Sequence, residues 1–383
     1  MAKPWKKKNS RPKPKTARQP ALAADPQGES MFFQRLPQEL RDKIYSHVFF
    51  STRVACGQRA VSRIDHIRIK PAPNALAILQ TCRRAKKEIG DTWLGQILFS
   101  FEDPETMLDK LTALPPGILS KMRHLRVLGD TLMLSYEEDD DVYYRLTSTL
   151  RLLPGLCLDT LTVLGLRTKE VSYDTLNGLI TESSGWKELH YISHSSEVLG
   201  FARLEQFHLG DEVEKHRYWR KPQPAHWQSV LEDRDGALSR PSVAIYRSTV
   251  SNCPCSVINA NTRARFEQKM PEDREAQEAF GIAEDAGLMV DGERDKEVMI
   301  IVKRGSGVDY EQKEDSRFVE SDIRRDMPGK TWKEIRYECI DRIFADDDDS
   351  LLSDDEDEET AEIDAYEDVD KYVWPPLHFM TER

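Results

Sequence analysis

The sequence predicts a mixed α+β and α/β chain: an N-terminal helical segment, then an irregular series of βα units forming an open sheet, with a charged tail at each end. Three observations carry this reading. Residues 32–48, FFQRLPQELRDKIYSHV, place Leu40, Ile44 and Val48 at i, i+4 and i+8, one stripe of a helix. Three strand-like pieces of one design recur: HLRVLG at 124–129, TLTVLG at 160–165 and ELHYIS at 188–193. Charge gathers at the ends, with a net of plus 6 over residues 1–30 and fifteen acidic side chains without a basic one over residues 346–370.

The rest of the chain carries only minus 3 of the formal minus 12, so its net charge gives no reason to expect a nucleic-acid or membrane surface. A content of 39% apolar residues in 383 is enough for a sizeable core. The basic tail, MAKPWKKKNSRPKPKTARQPALAADPQGES, has too little apolar surface to offset the entropy of ordering and is expected to be disordered. Its KKKNSRPKPK run has the composition of a nuclear-import signal. No apolar leader follows it, and no run approaches the roughly 18 apolar residues that span a bilayer. Six cysteines, at 56, 82, 157, 253, 255 and 339, are few and irregularly spaced, which fits reduced thiols in the cytoplasm or nucleus. The division expected is 1–30 basic tail, 31–103 helical N-terminal domain, 104–345 βα region and 346–383 acidic disordered tail.

Taken in order, the first helix spans 32–48. VSRIDHIRIK, at 61–70, reads as a strand or hairpin arm. A second helical segment covers 75–98, with Leu76, Leu79, Cys82, Lys86, Ile89 and Trp93 on one face. LFSFED, at 98–103, alternates as a strand ended by Pro104. The three repeated pieces follow, the second and third preceded by amphipathic stretches at 143–153 and 173–182. Leu125 and Leu161 are 36 residues apart, Leu161 and Leu189 28. That period marks parallel βα units, each burying its apolar face on the next. SVAIYRST (242–249), after the helical HWQSVLEDR, and EVMIIVKRG (297–305), after PEDREAQEAF, extend the series. Val298 to Val302 are apolar throughout and predict a strand covered on both faces. TWKEIRYECIDRIF (331–344) reads as a closing helix, with Thr331 and Glu334 as a capping box.

Within the first helix, Pro37 fits the first helical position, where its missing N–H costs nothing. Leu36 then falls at the N-cap, although leucine cannot accept a hydrogen bond there. Burial is the simpler reason for an apolar residue, since Leu36, Leu40 and Ile44 would each gain about 1.5 to 3 kcal/mol on leaving water.

FFQRLPQELRDKIYSHVFF together with ILQTCRRAKKEIGDTWLGQILFSFED resembles the fungal F-box-like family, whose members open with a Leu-Pro-x-Glu-Leu helix. They continue with a helix carrying leucine, threonine, cysteine and arginine, and then a strand. The similarity covers residues 31–103, about a fifth of the chain. It implies a module that docks the Skp adaptor of a cullin-based ubiquitin ligase, while the rest of the chain captures a substrate protein. By the resemblance, the adaptor contact falls on Leu36, Pro37, Leu40 and Ile44. One departure is the 27 residues from Phe49 to Ala75, where a compact F-box has a shorter link. The series after Met122 is similar to the leucine-rich-repeat-like regions that often follow an F-box, without their strict consensus. The alternative reading is a non-ligase scaffold or chromatin-associated binder, whose basic arm meets nucleic acid and whose acidic tail meets basic proteins.

No catalytic set can be assembled, so no enzyme, cofactor or metal is expected. His190 and His194 have a ligand-like spacing but fall on a strand, too far apart to share an ion. Cys253-Pro254-Cys255 lacks a second pair at zinc-ribbon spacing and reads as a loop. KRGSGVD, at 303–309, lacks the phosphate-loop register and reads as a turn. Trp219 and Trp227 are expected to pin a long loop to the sheet.

Overall fold

A computed structural model of the chain describes residues 30–60, 66–68, 76–135, 141–165, 169–201, 204–209, 212–217, 222–253, 255–269 and 284–339. Both charged tails lie outside these residues, as do Trp219 and the PEDREAQEAF stretch. At the centre is an eight-stranded sheet. Its strands are β1 (Arg53–Cys56), β2 (Leu98–Phe101), β3 (His124–Leu128), β4 (Leu158–Leu164), β5 (Trp186–Ser193), β6 (Ser242–Ser248), β7 (Arg263–Phe266) and β8 (Val298–Lys303). They stand in the order β1-β2-β3-β4-β5-β8-β6-β7. The first five are parallel and sequential, the arrangement the repeated pieces predict.

The last three depart from the expected series. β8 lies antiparallel between β5 and β6, and β7 closes the far edge antiparallel to β6. Apolar content assigns β8 an interior slot, and its residues are buried there as expected, Val298 to Ile300 and Val302 fully so. Strand direction is not encoded in that pattern; it depends on the end of the sheet from which the chain arrives.

The repeated design has a direct packing meaning. Leu125, Leu161, Leu189, Val302 and Val243 form one ladder across the sheet, and Val127, Val163, Tyr191, Ile300 and Ile245 form the next. All ten are buried in the main core. Helices α5 (Pro104–Leu111), α6 (Leu146–Leu150), α7 (Lys169–Thr181) and α8 (Ala225–Asp235) supply the other half of that core through Met107, Leu108, Leu150, Leu176, Ile180 and Trp227. Successive parallel strands stepping in one direction through right-handed crossovers place their helices on one face. The glycine ending each of the first two pieces permits close approach: a Cβ on Gly165 would stand 3.0 Å from the Tyr191 ring, and one on Gly129 3.0 Å from Val163.

The N-terminal unit comprises α1 (Met31–Arg35), α2 (Gln38–Phe50), α3 (Ile78–Thr81) and α4 (Arg83–Ile89). Its small core of Tyr45, Phe49, Ala85, Ile89 and Ile97 takes in Val54 of β1 and Phe99 of β2, so the sheet runs unbroken across residue 103. The segment expected as one helix over 75–98 is broken at Cys82, which is extended (φ −157°, ψ 157°) and whose Sγ accepts from the Ala85 N–H at 3.2 Å. The restart turns Ala85 and Ile89 inward and leaves Lys86 exposed, which removes the lysine from the expected apolar face. Within 61–70 only His66–Arg68 is described; it pairs antiparallel with Gln58–Ala60 as a hairpin arm. The stretch expected to be helical from 143 begins instead in a hairpin, Leu132–Ser135 with Asp141–Tyr144. The closing helix, α9 (Trp332–Cys339), has the expected box: Thr331 N–H donates to Glu334 Oε2 at 2.7 Å, and Glu334 N–H to Thr331 Oγ1 at 3.4 Å.

Candidate functional site

The chain enters α2 through Leu36 and Pro37. Pro37 has φ −56° and ψ 155°, outside the helical region, so it is the N-cap and Leu36 precedes it. The expected placement is thus corrected by one residue. No side chain caps this end. Arg41 fixes the entering chain instead, its Nη1 donating to the Leu36 carbonyl at 2.5 Å. The same guanidinium grips Glu88 of α4 with two bonds, Nε to Oε2 and Nη2 to Oε1, both 2.9 Å. Tyr45 donates to Glu88 Oε2 at 3.1 Å, and Arg84 donates to Oε1 at 3.1 Å. Phe33 of α1 lies under both arginines, 5.6 Å from Arg41 and 4.5 Å from Arg84. Burial raises the Glu88 carboxyl pKa, but the bonds from Arg41, Arg84 and Tyr45 outweigh it and hold the group below the ordinary carboxylate range. The Tyr45 phenol is pushed up to about 12, first by burial and then by its bond to Glu88.

Arg41, Tyr45 and Phe49 therefore form the inward side of α2, and all three are buried. Each of Leu40 and Ile44 precedes an inward residue by one position, a rotation of about 100° in an α-helix. They consequently point to solvent, Leu40 45% and Ile44 39% exposed. Pro37 is exposed beside them, Leu36 is half-buried, and Met31 of α1 is 52% exposed. Leu40 and Ile44, expected to leave water, thus form an uncovered apolar band within this chain, while Val48, the third member of the stripe, is half-buried. The inward set has the same i, i+4, i+8 spacing as the stripe. It went unread because it begins with an arginine, which counts as polar until its partner Glu88 is known.

The sheet's other face, free of described α-helices, alternates with the core rows. Arg126 is buried there, its Nε and Nη2 donating to Ser100 Oγ at 3.1 and 3.0 Å. His190 Nε2 stands 2.7 Å from Glu188 Oε1, whose other oxygen lies 3.2 Å from Lys303 Nζ. Those contacts lower the Glu188 pKa against the effect of burial. Near β8 the loop containing Cys255 and Val257 covers this face, tied to buried Glu297 by N–H bonds of 2.8 and 3.0 Å. Cys253 and Cys255 form no disulfide. No group of three or more His, Cys, Asp or Glu among the described residues is placed to hold a metal ion.

The turn after β8 is organised by Asp235. Arg304 donates to it from Nε and Nη2, each at 2.7 Å, and Gly305 N–H donates at 2.9 Å. The loop's backbone thus faces a carboxylate of the same chain. Trp227 is fully buried in α8 and donates to Asn177 at 3.1 Å. No described helix is long and apolar enough to cross a membrane. Comparison of the chain with family models, curated proteins and solved structures finds no match.

Proposed function

We propose that the N-terminal unit is an F-box-like docking module, that Leu36, Pro37, Leu40 and Ile44 contact a Skp adaptor, and that the sheet region presents a substrate protein to the ligase. The supporting observation is the exposure of Leu40 and Ile44 on a helix whose inward side is fixed by Arg41, Tyr45 and Phe49. An apolar band on a rigid helix suits a helix-in-groove contact, where i and i+4 side chains anchor the pair. The protein is a non-catalytic subunit in this reading.

Co-purification of the full chain with a fungal Skp adaptor tests it. The unaltered chain is expected to retain the adaptor, and a Leu40→Asp, Ile44→Asp double variant with an unchanged melting curve is expected to lose it. Absence of adaptor from the unaltered sample, or equal retention by the double variant, overturns the proposal.

A further inference from the structure

We infer that the acidic segment 346–370 docks within its own chain on the basic face of α4. This helix, RRAKKEI, carries four cations and one carboxylate. Arg83, Arg84, Lys86 and Lys87 are all exposed, whereas Glu88 is turned inward to Arg41 and Tyr45. Arg84 pairs with Glu88. Arg83, Lys86 and Lys87 have no ion pair among the described residues.

Local stability accounts for only part of this composition, since Lys86 and Lys87 in the last turn suit the helix dipole. Arg83, Lys86 and Lys87 stand at i, i+3 and i+4, on one helix surface, where like charges repel. Two arginines in the first turn, with no acidic residue there, also oppose the helix dipole. An anionic occupant relieves both penalties.

The chain supplies one. Residues 346–370 hold fifteen acidic and no basic side chains and begin seven residues beyond Cys339, the last described position. Cys339 ends α9, which lies on α5 through the Trp332 Nε1 bond to Asp109 at 2.9 Å and the Arg336 pair with Glu105 at 3.2 Å. α5 follows directly on β2, whose Phe99 belongs to the N-terminal core. The 31 residues from Cys339 to Asp370 reach up to about 100 Å when extended, well over the span of these neighbouring elements. Tethering gives the segment an effective concentration on the order of millimolar, so pairs that are individually weak suffice to hold it.

Glu88 joins α4 to α2 at 2.9 Å, and helices are about 10 Å across. A segment docked on α4, which is tied to α2, is expected to contest Leu40 and Ile44 with any partner. That consequence rests on the adaptor reading; the docking itself does not.

Zero-length carbodiimide cross-linking of the full chain, isolated as monomer without adaptor and mapped by peptide mass, tests the docking. Amides from Lys86 and Lys87 to residues 346–370 are expected, falling about fivefold in roughly 0.5 M salt, where the Debye length is short. They are expected to fall similarly in Arg83→Glu, which keeps both lysines, and in a variant with Asp354, Asp355 and Glu356 as amides. Unchanged melting of the variants shows that the fold is intact. Links spread equally to exposed Lys121 and Lys313, no links at α4, or links only between chains in a dimer fraction would overturn the inference.

Discussion

Glu88 decides which side of α2 is inside. Three donors converge on its carboxylate, from Arg41, Arg84 and Tyr45, and the first two also flank the Phe33 ring. Removing only the hydroxyl of Tyr45 isolates one bond. Tyr45→Phe is expected to lower stability by about 1 kcal/mol in chemical denaturation while leaving adaptor contact unchanged. The whole carboxylate is read by pH. Its folded pKa lies below its ordinary 4.5, so its contribution is complete above that value and is lost as pH falls through the lower, folded pKa. Hydrogen-exchange protection of Gln38–Phe50 should therefore drop on acidification below about pH 4.5, and Glu88→Gln should flatten that dependence. Protection that is independent of pH in the unaltered chain contradicts this account. Only the Arg84–Glu88 pair is local, at i and i+4; Arg41 and Glu88 are 47 positions apart, so no local pattern marks their pairing.

At the scale of elements, six of the eight sheet strands and the parallel run of the repeated pieces were legible, whereas β1, β7 and the antiparallel entry of β8 were not. HLRVLG, TLTVLG and ELHYIS encode burial at their second and fourth positions, which is why Leu125 and Val127, Leu161 and Val163, Leu189 and Tyr191 form adjoining ladders. The glycine after TLTVL belongs to the same device. Gly165→Ala brings a methyl to 3.0 Å from the Tyr191 hydroxyl and ring, and Tyr191 is itself held by its bond to the Ser172 carbonyl at 2.9 Å. The substitution is expected to cost about 1 to 3 kcal/mol as overpacking, read from the denaturation midpoint. A neutral result would show that Tyr191 swings aside. Helix boundaries were less legible. Cys82 interrupts what periodicity reads as one helix, since a sulfur accepting a backbone N–H is not among the usual cap signals. Thr331 and Glu334 show the reverse case, a box written in two residues and formed as written.

For the whole molecule, the sheet is continuous through β1 and β2 into β3, and Phe99 packs against both the N-terminal and the main core. A fragment of 104–345 leaves β3 with an unpaired parallel edge and removes the cover of Phe99. It is expected to aggregate or to melt well below the full chain in scanning calorimetry; equal melting temperatures would show that the regions are energetically separate. The 27-residue link from Phe49 to Ala75 holds β1 and the hairpin arms 58–60 and 66–68. It therefore ties the N-terminal helices to the sheet's edge.

Composition and periodicity by themselves determined that a helical N-terminal segment precedes a βα series, that the repeated and strongly apolar pieces are strands, and where charge gathers. These properties reside in neighbouring residues, so the rise and twist of a helix or strand is enough to reveal them. Only the tertiary structure decided that Leu40 and Ile44 face solvent while Arg41 turns inward, that β8 enters the sheet antiparallel, and that α4 is tied to α2 through Glu88. Each of those outcomes depends on a partner distant in the chain: Glu88 for Arg41, Ser193 to Glu188 for β8, and α2 for α4. A sequence lists such partners without pairing them, and the pairing sets which surfaces remain for binding.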